Sequence, residues 1–162
     1  MNLYFLRHAI AVPRGTAGYK DEKRPLTKDG IRKMQEIAEG MLQLEMEFDR
    51  IASSPLLRAR QTAEIAAAAF HQEIEIWKSL DPSEDPRQLV AALRKSNDNN
   101  ILLVGHEPHL SQFISVLIAG NSDVQIEFKK GGLCRVSTDD LIYGPCAVLH
   151  WLLAPSQLRK LA

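Results

Sequence analysis

Arg7 and His8 follow directly on an apolar run at 3–6, in the setting LYFLRHAIAV. Two cationizable side chains beside a buried strand are costly unless an anion or a hydrogen-bond partner compensates them. The pattern recurs twice. Ser53 and Ser54 close a second apolar segment, with Arg58 one turn into the helical stretch after it, and Gly105, His106 and Glu107 come after the aliphatic run at 101–104. Arg7, His8, Arg58 and His106 together suit a compact anion. Guanidinium forks match phosphate oxygens bidentately, and helix N-termini present unpaired N–H groups to it. Singly, His8 reads as a hydrogen-bonded core histidine and Arg58 as a solvated helix arginine. Their arrival at successive strand ends points instead to chemistry, because open α/β sheets bind ligands outside the carboxyl ends of their strands.

The elements that must position these residues are legible in the periodicity. Residues 2–6 predict a buried strand, and 9–25, with Pro13, Gly15, Gly18 and Pro25, an irregular loop long enough to suggest a role. Thr27 is placed to cap a helix to about residue 46, with Ile31, Met34, Ala38, Met41 and Leu42 at helical spacing. A strand at 48–53 leads to Ser54 and Pro55 as N-cap and first helical position, then a helix through RARQTAEIAAAAF. Next come a short strand at 74–76, a helix at 86–95, a doubly covered strand at 101–104 and a helix from Glu107-Pro108 to Gly120. Residues 125–129, 133–137 and 146–153 are strand-like, the last two as an antiparallel pair. Alternation of strands and helices to residue 120 predicts an α/β fold, a mostly parallel mixed sheet between helical layers, in a single domain over 1–162.

Composition narrows the partners. Twenty basic and twenty acidic residues cancel, so no global field draws the chain to nucleic acid or to an anionic membrane. No apolar run reaches the length of about 20 residues that spans a bilayer, and MNLYFLRH lacks the form of a signal peptide. Cys134 and Cys146 show no metal or CxxC spacing and read as reduced, mostly buried thiols, which places the chain in the cytoplasm. Neither cysteine is followed by the arginine a cysteine-phosphatase loop requires, and no GxxxxGK[ST] pattern is present. His106 and His109 stand at metal-ligand spacing. Two neighbouring arginines would repel a divalent cation there, so neither metal nor cofactor is expected, and His109 is expected to pack or hydrogen-bond within its helix.

At these residues the sequence resembles the histidine phosphatase superfamily, the group of phosphoglycerate mutases and histidine acid phosphatases. The Arg-His-Gly signature at the first strand end appears as L6-R7-H8-A9, and Ser-x-Leu-x-Arg-Ala-x-Gln-Thr-Ala as SPLLRARQTA at 54–63. The later Gly-His appears in VGHEPHL at 104–110, and RPLTKDG at 24–30 resembles the Leu-Thr-x-x-Gly before the first helix. The short length most resembles the small bacterial phosphohistidine phosphatases of the SixA type. The resemblance implies a phosphoglycerate-mutase-like fold, His8 as nucleophile, and Arg7, Arg58 and His106 as the phosphate-binding residues around it.

Two positions depart from the pattern. Ala9 replaces the usual glycine. The acidic proton donor of larger members has no clear counterpart: LDPSEDP at 80–86 offers Asp81, Glu84 and Asp85, and the 9–25 loop offers Asp21 and Glu22. An alkoxide leaving group needs a general acid, whereas protonated phosphohistidine expels a neutral imidazole. The expected reaction is therefore phosphohistidine hydrolysis on a phosphorylated protein such as a histidine-phosphotransfer domain. A small-molecule phosphomonoesterase and a non-catalytic phosphate- or phosphoprotein-binding module are the alternatives; a mutase is disfavoured by length. The 9–25 loop reads equally as a contact for a phosphoprotein or as a solvated loop.

Overall fold

The computed structural model describes Met1–Ala162. Six strands form one sheet in the order β3-β2-β4-β1-β5-β6: β1 (Asn2–Arg7), β2 (Arg50–Ser53), β3 (Ile74–Ile76), β4 (Asn100–Gly105), β5 (Leu133–Ser137) and β6 (Val148–Leu153). β1 to β4 run parallel, and β5 and β6 add to the β1 edge antiparallel. The helices are α1 (Lys28–Gln43), α2 (Leu57–Ala69), α3 (Pro86–Ser96), α4 (His109–Ala119) and α5 (Pro155–Leu158).

Period-two alternation along the central strands sorts their side chains between two apolar layers. Tyr4, Leu6, Leu102 and Val104 pack with Met34, Ile37, Ala63 and Leu158, which α1, α2 and α5 supply. Leu3, Phe5, Ile101 and Leu103 pack with Leu89, Leu93, Phe113 and Leu117 of α3 and α4. This is the three-layer α/β/α arrangement with a mixed sheet, and both central strands are apolar on each face because each face is covered.

Several boundaries differ from the sequence reading. Thr27 does cap α1, its hydroxyl oxygen accepting from Gly30 N at 3.0 Å, but the helix stops at Gln43. Ser54 does not cap α2. Its hydroxyl is engaged elsewhere, and the helix begins at Leu57 beyond Pro55. α4 opens at His109, two residues after Glu107. Residues 125–129 form no strand, because Phe128 O receives the Arg7 guanidinium instead of a ladder partner. α5 has no counterpart among the elements expected from the sequence: it is one turn, stabilised where Gln157 Oε1 accepts from Ala154 N. No helix is long and apolar enough to cross a membrane.

Candidate active site

β1 and β4 are adjacent and parallel, so their carboxyl ends meet. Arg7 lies opposite Gly105, and His8 N donates to Gly105 O at 3.0 Å. β2 flanks β4 on its other side, and Ser54 N donates to Val104 O. The three segments singled out by the sequence therefore converge. The His8 and His106 rings lie 5.1 Å apart, centroid to centroid.

His8 is 6% exposed, and its Nδ1 lies 2.7 Å from Ala9 O. A carbonyl can only accept, so the imidazole proton sits on Nδ1 and the Nε2 lone pair is free. Burial, opposed by that carbonyl and reinforced by Arg58, Arg7 and Lys130, lowers the His8 pKa from 6.5 to about 3. The ring is neutral, as a nucleophile requires. Ala9 stands where a glycine was expected, but its φ is not positive, so the backbone there makes no demand that only glycine meets.

α2 supplies Arg58 and Thr62 one turn apart. The Thr62 hydroxyl accepts from Ala9 N at 3.0 Å and donates to Arg58 O at 2.7 Å, joining the end of β1 to the arginine-bearing turn. Arg58, 3% exposed, donates from Nη1 to Asp21 O and pairs through Nη2 with the Asp21 carboxylate at 3.5 Å. Arg7 donates from Nη1 to Phe128 O at 2.7 Å. Burial lowers the pKa of both guanidiniums, and Glu107 opposes it at Arg7. His106 Nε2 lies 2.7 Å from Ser54 Oγ. The Ser54 hydroxyl has no other acceptor for its proton, so it donates to Nε2, which leaves the His106 proton on Nδ1. Burial, then His8 and Arg58, bring the His106 pKa to about 2.

Arg7 Nε, Arg58 Nε and His106 Nδ1 are buried and have no hydrogen-bond partner. Buried donors are paired as a rule, so three orphans from three chain segments, set about a neutral imidazole, mark a place for an acceptor-rich ligand. A phosphoryl group, with its ring of acceptor oxygens, satisfies them.

Three of the candidate proton donors in LDPSEDP are held in local bonds. Asp81 accepts from Ser83 N and Oγ, Glu84 pairs with Lys78 at 3.1 Å, and Asp85 caps α3 through Arg87 N. Asp21 reaches the site from the 9–25 loop, and Glu107, which accepts from Ser111 N at 2.9 Å, also acts on Arg7. Burial works to raise the Asp21 pKa, but hydrogen bonds from Arg24 and Arg14 and the charge of Arg58 hold it below the ordinary carboxylate value. His109 is buried as expected, yet neither ring nitrogen has a hydrogen-bond partner, and no three His, Cys, Asp or Glu side chains converge as a metal site would need. Both thiols are free, and burial pushes Cys134 up to about 12. Thr62, the Phe128 carbonyl and Lys130 join the site without having been expected from the sequence. Thr62 was the one with a signal, standing four residues after Arg58 in RARQT.

A buried neutral histidine at strand ends, with unpaired Nε atoms of two arginines and Nδ1 of a second histidine beside it, marks a phosphoryl-handling α/β protein. The model of the histidine phosphatase superfamily (branch 1) matches residues 3–82. An uncharacterized protein of Picosynechococcus sp. (strain ATCC 27264 / PCC 7002 / PR-6) is 36% identical over 137 residues, 82% of each chain. The phosphohistidine phosphatase SixA of Escherichia coli (strain K12) is 24% identical over 98% of this chain and 97% of its own length. The solved structure of the protein histidine phosphatase SixA complexed with tungstate superposes with a TM-score of 0.83 at 24% identity, covering 98% of this chain and 99% of that one. The alpha-ribazole phosphatase of Shigella flexneri shares the fold at TM-score 0.76 and 19% identity, over 96% of this chain and 97% of its own. The chain belongs to the histidine phosphatase superfamily.

Proposed function

We propose that the chain hydrolyses phosphohistidine on a protein, by way of a phosphohistidine formed on its own His8. The His8 Nε2 lone pair attacks phosphorus in line, the bond from phosphorus to the substrate nitrogen breaks, and the substrate imidazole leaves neutral because its other nitrogen carries a proton. Water then attacks the phosphorus, the bond to His8 Nε2 breaks, and inorganic phosphate departs. Arg7, Arg58 and His106 hold the equatorial oxygens, where positioning and electrostatics dominate phosphoryl transfer. One observation carries the reading: the unpartnered Arg7 Nε, Arg58 Nε and His106 Nδ1 around a neutral His8.

The substrate class rests on the carboxylates. Asp81, Glu84 and Asp85 are engaged in local bonds, Glu107 accepts from Ser111 N beside the Arg7 cation, and Asp21 is held ionised by arginines, which suits a leaving group that needs little acid assistance. A phosphorelay protein in the cytoplasm is the partner this chemistry fits. The shared fold with an alpha-ribazole phosphatase favours a second reading, a small-molecule phosphomonoesterase. Turnover of a phosphorylated histidine-phosphotransfer domain and of an alkyl phosphate separates the two. General acids contribute about a hundredfold or more. The phosphohistidine substrate is therefore expected to lead in kcat/KM by at least about that factor, and equal values would favour the phosphomonoesterase.

A further inference from the structure

The turn at 128–132 grips Arg7 from two sides. Phe128 O receives its guanidinium, Gly131 N donates to Arg7 O at 3.0 Å, and Arg7 N donates to Gly132 O at 3.1 Å. Gly131 takes a φ of 78°, and Gly132 N closes the turn on Lys129 O at 2.8 Å. Lys130 is an exposed residue of this turn, between Phe128 and Gly131, which both bond to Arg7. Its side chain also borders, with Ala9, Lys33 and Arg159, a separate cavity of about 160 Å³ that none of Arg7, His8, Arg58 and His106 lines.

The other cations here have protein acceptors. Arg58 has Asp21, Arg24 has Asp21 and Val12 O, and Arg14 has Asp21. Across the same small cavity, Lys33 pairs with Asp29 and Arg159 with Glu36. Lys130 differs. Its pKa is lowered by burial and then by Arg7, Arg24 and Arg58, and no carboxylate offsets them. An ammonium near three guanidiniums with no carboxylate beside it is repelled by them, and a dianion placed among them reverses the sign.

We propose that Lys130 is a further phosphoryl-binding residue, its flexible ammonium closing on a non-bridging oxygen of a dianionic phosphoryl group held by Arg7 and Arg58. This rests on the reading of the site as a phosphoryl pocket, and holds for either substrate class. Lysine suits the position, because a compact point charge on a long stem reaches an oxygen that no rigid fork faces. Lys130 is exposed, so its stem is free to swing toward the site.

Inorganic phosphate binding, measured by titration calorimetry on the wild-type chain and on Lys130→Met, Lys130→Arg and Lys129→Met, tests the assignment. A lost charge-assisted hydrogen bond weakens binding by about tenfold or more. Lys130→Met is expected to lose about that factor, Lys130→Arg to recover most of it, and Lys129→Met to stay within about twofold of the wild type. Unchanged binding in Lys130→Met overturns the proposal. So does an equal loss in Lys129→Met, which would reduce the effect to general surface charge. Inorganic phosphate reports the pocket alone, so a failed preference for phosphohistidine would leave this result standing. A wild-type chain that binds no phosphate would remove the pocket and the proposal together.

Discussion

The His8 imidazole owes its reactive form to one atom, the Ala9 carbonyl oxygen at 2.7 Å, and to its burial. With its pKa near 3, His8 is neutral throughout the range above about pH 4, so its protonation places no acid limb near 6.5 in kcat/KM. A pH–rate profile on a substrate that does not itself titrate between pH 5 and 8 checks this, and an acid limb near 6.5 would contradict it. Thr62 stands one step back from the chemistry. Thr62→Val removes the acceptor of Ala9 N–H, leaving that group buried and unpaired, and the second donor to Arg58 O. That costs about 1–3 kcal/mol of stability. Because both groups frame His8, the proposed nucleophile, kcat is expected to fall while KM changes less; urea unfolding and steady-state kinetics separate the two effects.

At the level of elements, the site depends on how closely the segment after β1 packs on α1. A Cβ on Gly30 would collide with Ile10 O, a backbone atom that cannot yield cheaply. Gly30→Ala is expected to cost about 1–3 kcal/mol in urea unfolding and to lower activity by displacing the chain that comes after His8; an alanine variant with wild-type stability would show that the approach is looser. The same junction explains what the sequence disclosed. β1, β2 and β4 were legible because buried parallel strands are apolar on both faces, and Arg7, His8, Arg58 and His106 because polar residues at such strand ends stand out. Ser54 was misread as a helix cap. Its local setting, Ser-Pro before a helix, matches a cap, and only the approach of β4 reveals that His106 takes its hydroxyl. Residues 125–129 misled in the same way: Ile126 and Phe128 alternate like a strand, but the Phe128 carbonyl bonds to Arg7, 121 residues away in sequence. Lys130 left no signal, being one lysine in FKKGG until the fold sets it beside three arginines.

For the molecule as a whole, the balance of twenty basic and twenty acidic residues conceals a local imbalance at the sheet's carboxyl edge, where Arg7, Arg58, Arg24 and Lys130 gather. Holding two histidines neutral in such a place makes stability depend on pH. His8 and His106 have folded pKa values of about 3 and about 2, below their ordinary 6.5. The unfolded chain therefore binds protons that the folded chain refuses as pH falls below about 6.5. Stability declines from there down toward pH 3, by up to about 1.4 kcal/mol per pH unit for each histidine. Asp21, held low by its arginines, acts in the same direction at the acid end. Urea unfolding at pH 7.5 and pH 5 is expected to show this loss, with a shallower decline in His106→Asn; a decline of equal slope in that variant would contradict the assignment. Bound phosphate should oppose the decline, since it stabilises only the folded chain.

The central claim is that the phosphoryl group passes through His8, and rapid quenching of the chain with a radiolabelled phosphohistidine protein tests it most directly. The account predicts an acid-labile, alkali-stable label that maps to His8, with no label and no turnover in His8→Ala. Turnover retained by His8→Ala, or a label on any other residue, would contradict it.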